Sequence, residues 1–283
     1  MTKQSLRNNK KVPDLKLQEQ SGSFLSAIDL ITLVFCGWIL AYMSIGIGRT
    51  HDAWIHIPRY LSIAIGVLLL AWANKQALVL GRPRLHKALS FIRGIYPVFL
   101  FGYFFTSGHA FNRIIVSDWL DPWFMQIDKS VFGYYPSLEW GKTYSNWAIQ
   151  ELFHFAYFCY YPMIVGLPVY LYFKQPKAFK ELIFNLTFVF YLCYTIYSVL
   201  PTIGGRYIPE AMEITKTYRG GLFTHIMVFI YRTSGHLGGA FPSSHIAITL
   251  VLTVAALRFV KPMGIVFPVI AFFLTIATVY WKR

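Results

Sequence analysis

Seven stretches of the chain are long and almost free of charge: roughly residues 24–47, 59–79, 90–107, 147–173, 182–200, 244–260 and 263–281. A helix needs about 20 mostly apolar residues to cross a hydrocarbon core. The pattern therefore predicts an all-α fold, a polytopic membrane helical bundle of about seven transmembrane helices. The first run is too long for a signal-peptide core and no small-residue cleavage site follows it, so it reads as an uncleaved anchor. Residues 1–22 are polar and charged and read as a cytoplasmic tail, with residues 23–283 as a single transmembrane domain. Two links are long, the third and the fifth, the latter spanning 201–243. In the third, the aromatic and amphipathic stretch DPWFMQIDKSVFGYYPSLEW (121–140) predicts a helix along the membrane interface, where Trp and Tyr are favoured. An interfacial helix is expected in the fifth as well. No internal repeat is visible.

Composition supports the pattern. Of 283 residues, 56% are hydrophobic, 18% aromatic and only 13% charged. A soluble domain carries about a quarter charged residues. The net charge of +14 comes from 26 Lys and Arg against 12 Asp and Glu. These cations are scattered between apolar runs and form no single stripe, which argues against nucleic acid as a partner. They do set an orientation. The tail (Lys3, Arg7, Lys10, Lys11, Lys16) and the second, fourth and sixth links (among them Arg82, Arg84, Lys87, Arg93; Lys174, Lys177; Arg258, Lys261) are dense in basic residues. By the positive-inside rule these face the cytoplasm, and the third and fifth links face outward. The expected location is an integral membrane one, a bacterial inner membrane with the chemistry on the periplasmic side. Cys36, Cys159 and Cys193 each sit alone in an apolar run and read as small buried thiols.

The chemistry concentrates at the two ends of the fifth link. It opens with LPTIGGRYIPE and closes with SGHLGGAFPSSH. Gly204 and Gly205 let the backbone approach a ligand. Arg206 follows at a helix exit, and a guanidinium is a fork matched to phosphate oxygens. At the other end Ser243 and Ser244 open a helix whose N-terminus favours anions. His245, in its first turn, has the chemistry to hand a proton to a leaving oxygen. Together these residues read as parts of a phosphate-handling site. Each has a plainer reading: Ser243 as an N-cap, Arg206 as a residue snorkelling to lipid phosphates, His245 as an interfacial side chain. His225 and His236 share the link, without zinc-ligand spacing, and no metal or other cofactor is expected. His154, in the fourth apolar run, is a candidate pocket residue or a structural hydrogen-bonding group. Asp29, alone in the first run, is assigned no role.

FPSSH, preceded by GGA and opening a membrane helix, resembles the second signature of the type 2 phosphatidic acid phosphatase superfamily. Three further stretches agree: DPWFMQIDKSVFGYYPS, ELFHFAYFCYYPMI and YSVLPTIGGRYIP. The resemblance spans about residues 115–283 and is strongest to the inositolphosphotransferase-like branch, which includes inositol phosphorylceramide synthases. It implies that Arg206 binds phosphate, that Ser243 and the backbone of Ser244 hold phosphate oxygens, and that His245 protonates the leaving alcohol. Gly205, Tyr207 and His154 would line the pocket. Seven residues before Arg206, where the fuller first signature has a lysine, stands Val199. This departure suits that branch.

The third signature supplies the family's nucleophilic histidine, with an aspartate four residues on. ATVYWKR (277–283) is similar to its lead-in, so the expectation is that this sequence is a truncated form of a longer enzyme with the histidine next. The implied function is a membrane phosphoryl-transfer enzyme acting on a lipid-linked phosphate ester through a phospho-histidine, as lipid phosphatase or head-group transferase. Its partners are the membrane and a lipid phosphate substrate. No metal is required, because Arg and backbone dipoles can stabilise the transferring charge. The rival is a catalytically inactive phosphate-binding or transporter-like membrane protein.

Overall fold

A computed structural model describes residues 24–46, 48–49, 53–144, 146–204, 220–233 and 237–280. Among the described residues the only regular structure is helical. The N-terminal tail lies outside them, as do Gly205, Arg206, Tyr207 and His236.

Helix α1 (Ala27–Ile45) starts at a reciprocal cap: Ser26 accepts from the Asp29 N–H while Asp29 accepts from the Ser26 N–H. Helix α2 (Ala53–Val79) and helix α3 (Pro83–Ser107) form a hairpin, with Pro83 tolerated in the first turn of α3 because its missing N–H has no partner there anyway. The third link holds α4 (Asp121–Phe132), ended by Gly133 at φ +76°, and α5 (Pro136–Thr143). Helices α6 (Trp147–Phe158) and α7 (Tyr160–Lys174) follow, then α8 (Pro176–Val199). The fifth link contains α9 (Leu222–Thr233), and the chain closes with α10 (Ser244–Phe259) and α11 (Lys261–Tyr280).

Six stretches are long and apolar enough to span a membrane, with α6 and α7 counted as one stretch of 28 residues. The seventh expected span, α10, is shorter at 16 residues. At 1.5 Å per residue it covers about 24 Å of a hydrocarbon core of about 30 Å. Several boundaries differ from expectation. The α2–α3 link is far shorter than the charge pattern suggested, because helices continue through Lys75, Arg84, Lys87 and Arg93, while the α7–α8 link is very short, as expected. Long basic side chains can carry their charge to the interface from a helical backbone, so charge marks the membrane edge better than it marks the helix end. The fourth apolar run also breaks at Cys159. Pro162 explains the break, since it has no N–H for the Phe158 carbonyl and its ring crowds that carbonyl.

Helix α8 is the axis of the bundle: 56% of its apolar window is buried, against 17% for α2 and for α3. One apolar core joins residues of α1, α2, α3, α7, α8, α10 and α11, among them Phe35, Tyr60, Phe104, Leu186 and Leu252. The three cysteines are buried and unbridged, as expected.

The third and fifth links meet at one end of the bundle. The Leu120 N–H donates to the Pro201 carbonyl at 2.9 Å, and Asn112 Nδ2 donates to the Leu237 carbonyl at 3.0 Å. Helix α11 ends there too, where Tyr280 Oη donates to the Tyr144 carbonyl at 2.8 Å. At the opposite end Gln175 Nε2 bonds the Phe259 carbonyl, and an exposed ion pair joins Arg258 to Glu181.

Candidate active site

The centre of this end is the N-terminus of α10. Ser243 is the N-cap, and its Oγ accepts from the Ile246 N–H at 3.4 Å. Ser244 is buried, and its N–H donates to Tyr197 Oη at 3.3 Å. The same Tyr197 hydroxyl donates to the Pro242 carbonyl at 2.8 Å. One phenol from the end of α8 thus holds both sides of the Pro-Ser-Ser turn.

His245 stands between two tyrosine rings, with centroids 4.8 Å away for Tyr157 and 4.6 Å for Tyr160. These tyrosines flank the break at Cys159, on α6 and α7 respectively. The proline that interrupts the fourth run therefore shapes the wall against which the imidazole packs, and tilted ring contacts of this kind fix an aromatic plane.

The two ends of the fifth link are clipped together. The Thr202 carbonyl accepts from the Ala240 N–H at 3.0 Å, and Thr202 Oγ1 accepts from the Phe241 N–H at 2.9 Å. Gly204, at φ +84°, lies so close to the returning strand of chain that a Cβ added to it would stand 3.0 Å from that of Ala240. Both the left-handed backbone and the close approach call for glycine. From the third link, Asp121 adds two bonds: Oδ2 accepts from the Ile203 N–H at 2.9 Å and Oδ1 from the Gly204 N–H at 2.7 Å. Phe124 packs on Phe241, centroids 4.5 Å apart. The clip thus brings Thr202 to Gly204 beside the chain that enters the Phe-Pro-Ser-Ser-His turn.

His154 has hydrogen-bonding partners on α6 and α9. It is buried on α6, and its Nδ1 lies 2.6 Å from the Gln150 carbonyl and 3.0 Å from Thr224 Oγ1. Thr224 Oγ1 donates to Glu151 at 2.5 Å, and the same carboxylate receives the N–H groups of Gly221, Phe223 and Thr224. Glu151 thereby caps α9 from a neighbouring helix, satisfying amides that have no intrahelical partner. The result is a Glu151–Thr224–His154 chain that docks α9 onto α6.

A small cavity of about 10 Å³ between α8 and the N-terminal helices is lined by Tyr60, Phe104, Asn112, Tyr194, Tyr197 and Ser198 among others. Among the described residues no group of three or more His, Cys, Asp or Glu is placed to hold a metal ion.

Of the residues expected from sequence, Ser243, Ser244 and His245 form the start of α10, His154 bonds Gln150 and Thr224, and Gly205, Arg206 and Tyr207 lie outside the described residues. Sequence reasoning missed Asp121, Glu151, Tyr197, Thr202, Tyr157 and Tyr160. All six fall within or beside stretches quoted above for their resemblance, and Asp121 and Glu151 are acids inside apolar or aromatic runs, a usable signal.

A family model described as the PAP2 superfamily matches residues 122–280, which takes in α4 through α11 apart from Asp121. No curated protein and no solved structure matches the chain.

Proposed function

Because the chain belongs to the PAP2 superfamily, a group of phosphatase- and phosphotransferase-type lipid enzymes, we propose that it transfers a phosphoryl group from a lipid-linked phosphate ester at the clipped end of the bundle. The observation that carries this is the clip itself. It holds Thr202 against Ala240 and Phe241, the residues that lead into the helix opened by Ser243, Ser244 and His245. In this reading the Arg206 fork joins the hydroxyl and the positive dipole end in holding one tetrahedral anion.

In this reading Arg206 and Ser243 hold the non-bridging phosphate oxygens. The Ser244 N–H exchanges its long bond to Tyr197 for a phosphate oxygen. The attacking nitrogen is that of a histidine, as the family resemblance implies. As the nitrogen–phosphorus bond forms, the bond to the leaving oxygen breaks, and His245 gives that oxygen its proton. In the second half His245 takes a proton from the acceptor hydroxyl, whose oxygen attacks phosphorus and releases the first histidine. Water as acceptor gives a phosphatase and a lipid or sugar hydroxyl gives a transferase. The inositolphosphotransferase-like resemblance favours the transferase. The site faces outward, with the N-terminus in the cytoplasm, following the alternation of basic residues.

The test is hydrolysis of an aryl phosphate by the complete gene product in detergent, with His245→Ala and Arg206→Ala beside it. Loss of a general acid is expected to cost about 10²–10⁴-fold in kcat. Undiminished turnover in His245→Ala contradicts the assignment.

A further inference from the structure

A buried tyrosine usually finds a hydrogen-bond partner for its phenol oxygen. In this protein Tyr42, Tyr60, Tyr191, Tyr194, Tyr197 and Tyr280 are buried, and each has a hydrogen bond at Oη. Tyr160 differs. It is 7% exposed, yet among the described residues no hydrogen bond reaches its hydroxyl. Nor does Tyr160 Oη belong to the polar atoms that are both fully covered and unbonded, so this oxygen borders open space that a ligand can enter.

The place of the hydroxyl points the same way. Tyr160 opens α7, and its ring packs on the His245 imidazole with centroids 4.6 Å apart. The ring is held in the main apolar core together with Tyr194 and Tyr197, so the hydroxyl keeps its place beside His245. A phenylalanine would fill the same core and would spare the cost of an unbonded hydroxyl there. A ligand that takes the bond accounts for the tyrosine.

Resting on the reading of His245 as the group that serves the leaving oxygen, we propose that Tyr160 is a substrate-binding residue for the alcohol side of the phosphate ester. Its hydroxyl donates to an ester carbonyl or hydroxyl oxygen next to the bond that breaks. A phosphate oxygen is the less fitting partner. An anion is better served by the helix N-terminus at Ser243 and Ser244, whereas a neutral phenol suits a neutral acceptor.

Tyr160→Phe removes the hydroxyl and keeps the ring against His245. The protein is assayed in detergent on a dioctanoyl glycerol phosphate, which carries ester oxygens beside the leaving oxygen, and on phenyl phosphate, which carries none. The ratio of kcat/KM for the lipid to that for phenyl phosphate should fall about tenfold in the variant. Inhibition by inorganic phosphate should keep its parental constant. Loss of a merely structural contact would lower both substrates together and leave the ratio in place. The unfolding midpoint should equal or exceed the parent's, since no internal bond is removed. Tyr170→Phe, at a 37% exposed position farther along α7, should leave the ratio as in the parent.

A ratio within twofold of the parent overturns the proposal. So does a midpoint several degrees lower, which would reveal an internal partner for the hydroxyl. An equal loss on both substrates with weaker phosphate inhibition assigns the hydroxyl to the phosphate and overturns the alcohol-side role. Full activity in His245→Ala, or a parent without turnover on either substrate, overturns the site reading itself, and the proposal with it.

Discussion

The three N-terminal helices and the segment from Asp121 onward bury polar groups in different ways. In α1 to α3 the polar side chains bond to one another across helices. Asp29, fully buried, pairs with Arg93, accepts from Ser26 and receives Tyr96 Oη at 3.3 Å. Tyr60 Oη lies 2.9 Å from Ser107 Oγ. From Asp121 onward several side chains bond to the backbone of the fifth link. Asp121, Glu151, Tyr197 and Thr202 all hold loop amides or carbonyls that belong to the fifth link or the turn before α10. The first arrangement ties helices together. The second fixes the course of a loop, which is what a binding site requires. The contrast teaches that stability and site geometry are held by separable sets of residues in this protein.

Breaking the N-terminal set should produce the largest effect on stability. Removing one partner from a buried ion pair leaves the other charge uncompensated, at a cost of about 3–5 kcal/mol. Asp29→Ala should therefore lower the unfolding midpoint of the detergent-solubilised protein sharply, while turnover per folded molecule stays at the parental level. A folded Asp29→Ala protein without turnover would erase the distinction between the two regions.

Breaking the second set should do the reverse. Tyr197→Phe deletes the hydroxyl that bonds Pro242 and Ser244 while keeping the ring in the core. Activity is expected to fall about tenfold, or ~1.4 kcal/mol in transition-state binding, with a midpoint close to the parent. A smaller effect is expected at Thr224→Val, which removes the hydroxyl between Glu151 and His154 but leaves the three amide bonds of Glu151. About 1 kcal/mol of local stability should be lost, read as faster hydrogen exchange confined to α9. The smallest belongs to Arg258→Ala at the far end. Arg258 and Glu181 are 58% and 42% exposed, and a pair so hydrated contributes less than about 1 kcal/mol. Both midpoint and turnover should stay at parental values.

The hydrophobic pattern carried most of the fold, because membrane helices must satisfy every backbone group internally and so announce themselves as long apolar runs. It missed the shortness of the α2–α3 link, since basic residues signal the interface whether or not the helix has ended there. It also merged α6 with α7, although Pro162 marks the interruption. The site was legible where one motif carries several parts, as in Phe-Pro-Ser-Ser-His. Asp121, Thr202, Tyr197 and Glu151 were not, because their role depends on contacts with residues 39 to 83 positions away in the chain. Spacing within one stretch holds no trace of such pairings. Asp29 was passed over for the same reason, as its partner is 64 residues distant.

The most direct measurement is a structure of the complete gene product with orthovanadate, a mimic of the transferring phosphoryl group. The account predicts that the oxyanion sits at the N-terminus of α10, within hydrogen-bonding distance of Ser243 Oγ, with Arg206 on its other side and His245 facing the leaving position. Orthovanadate bound elsewhere, for example among Arg82, Arg84 and Lys87 at the α2–α3 turn, with the Ser243–His245 turn vacant, would contradict it.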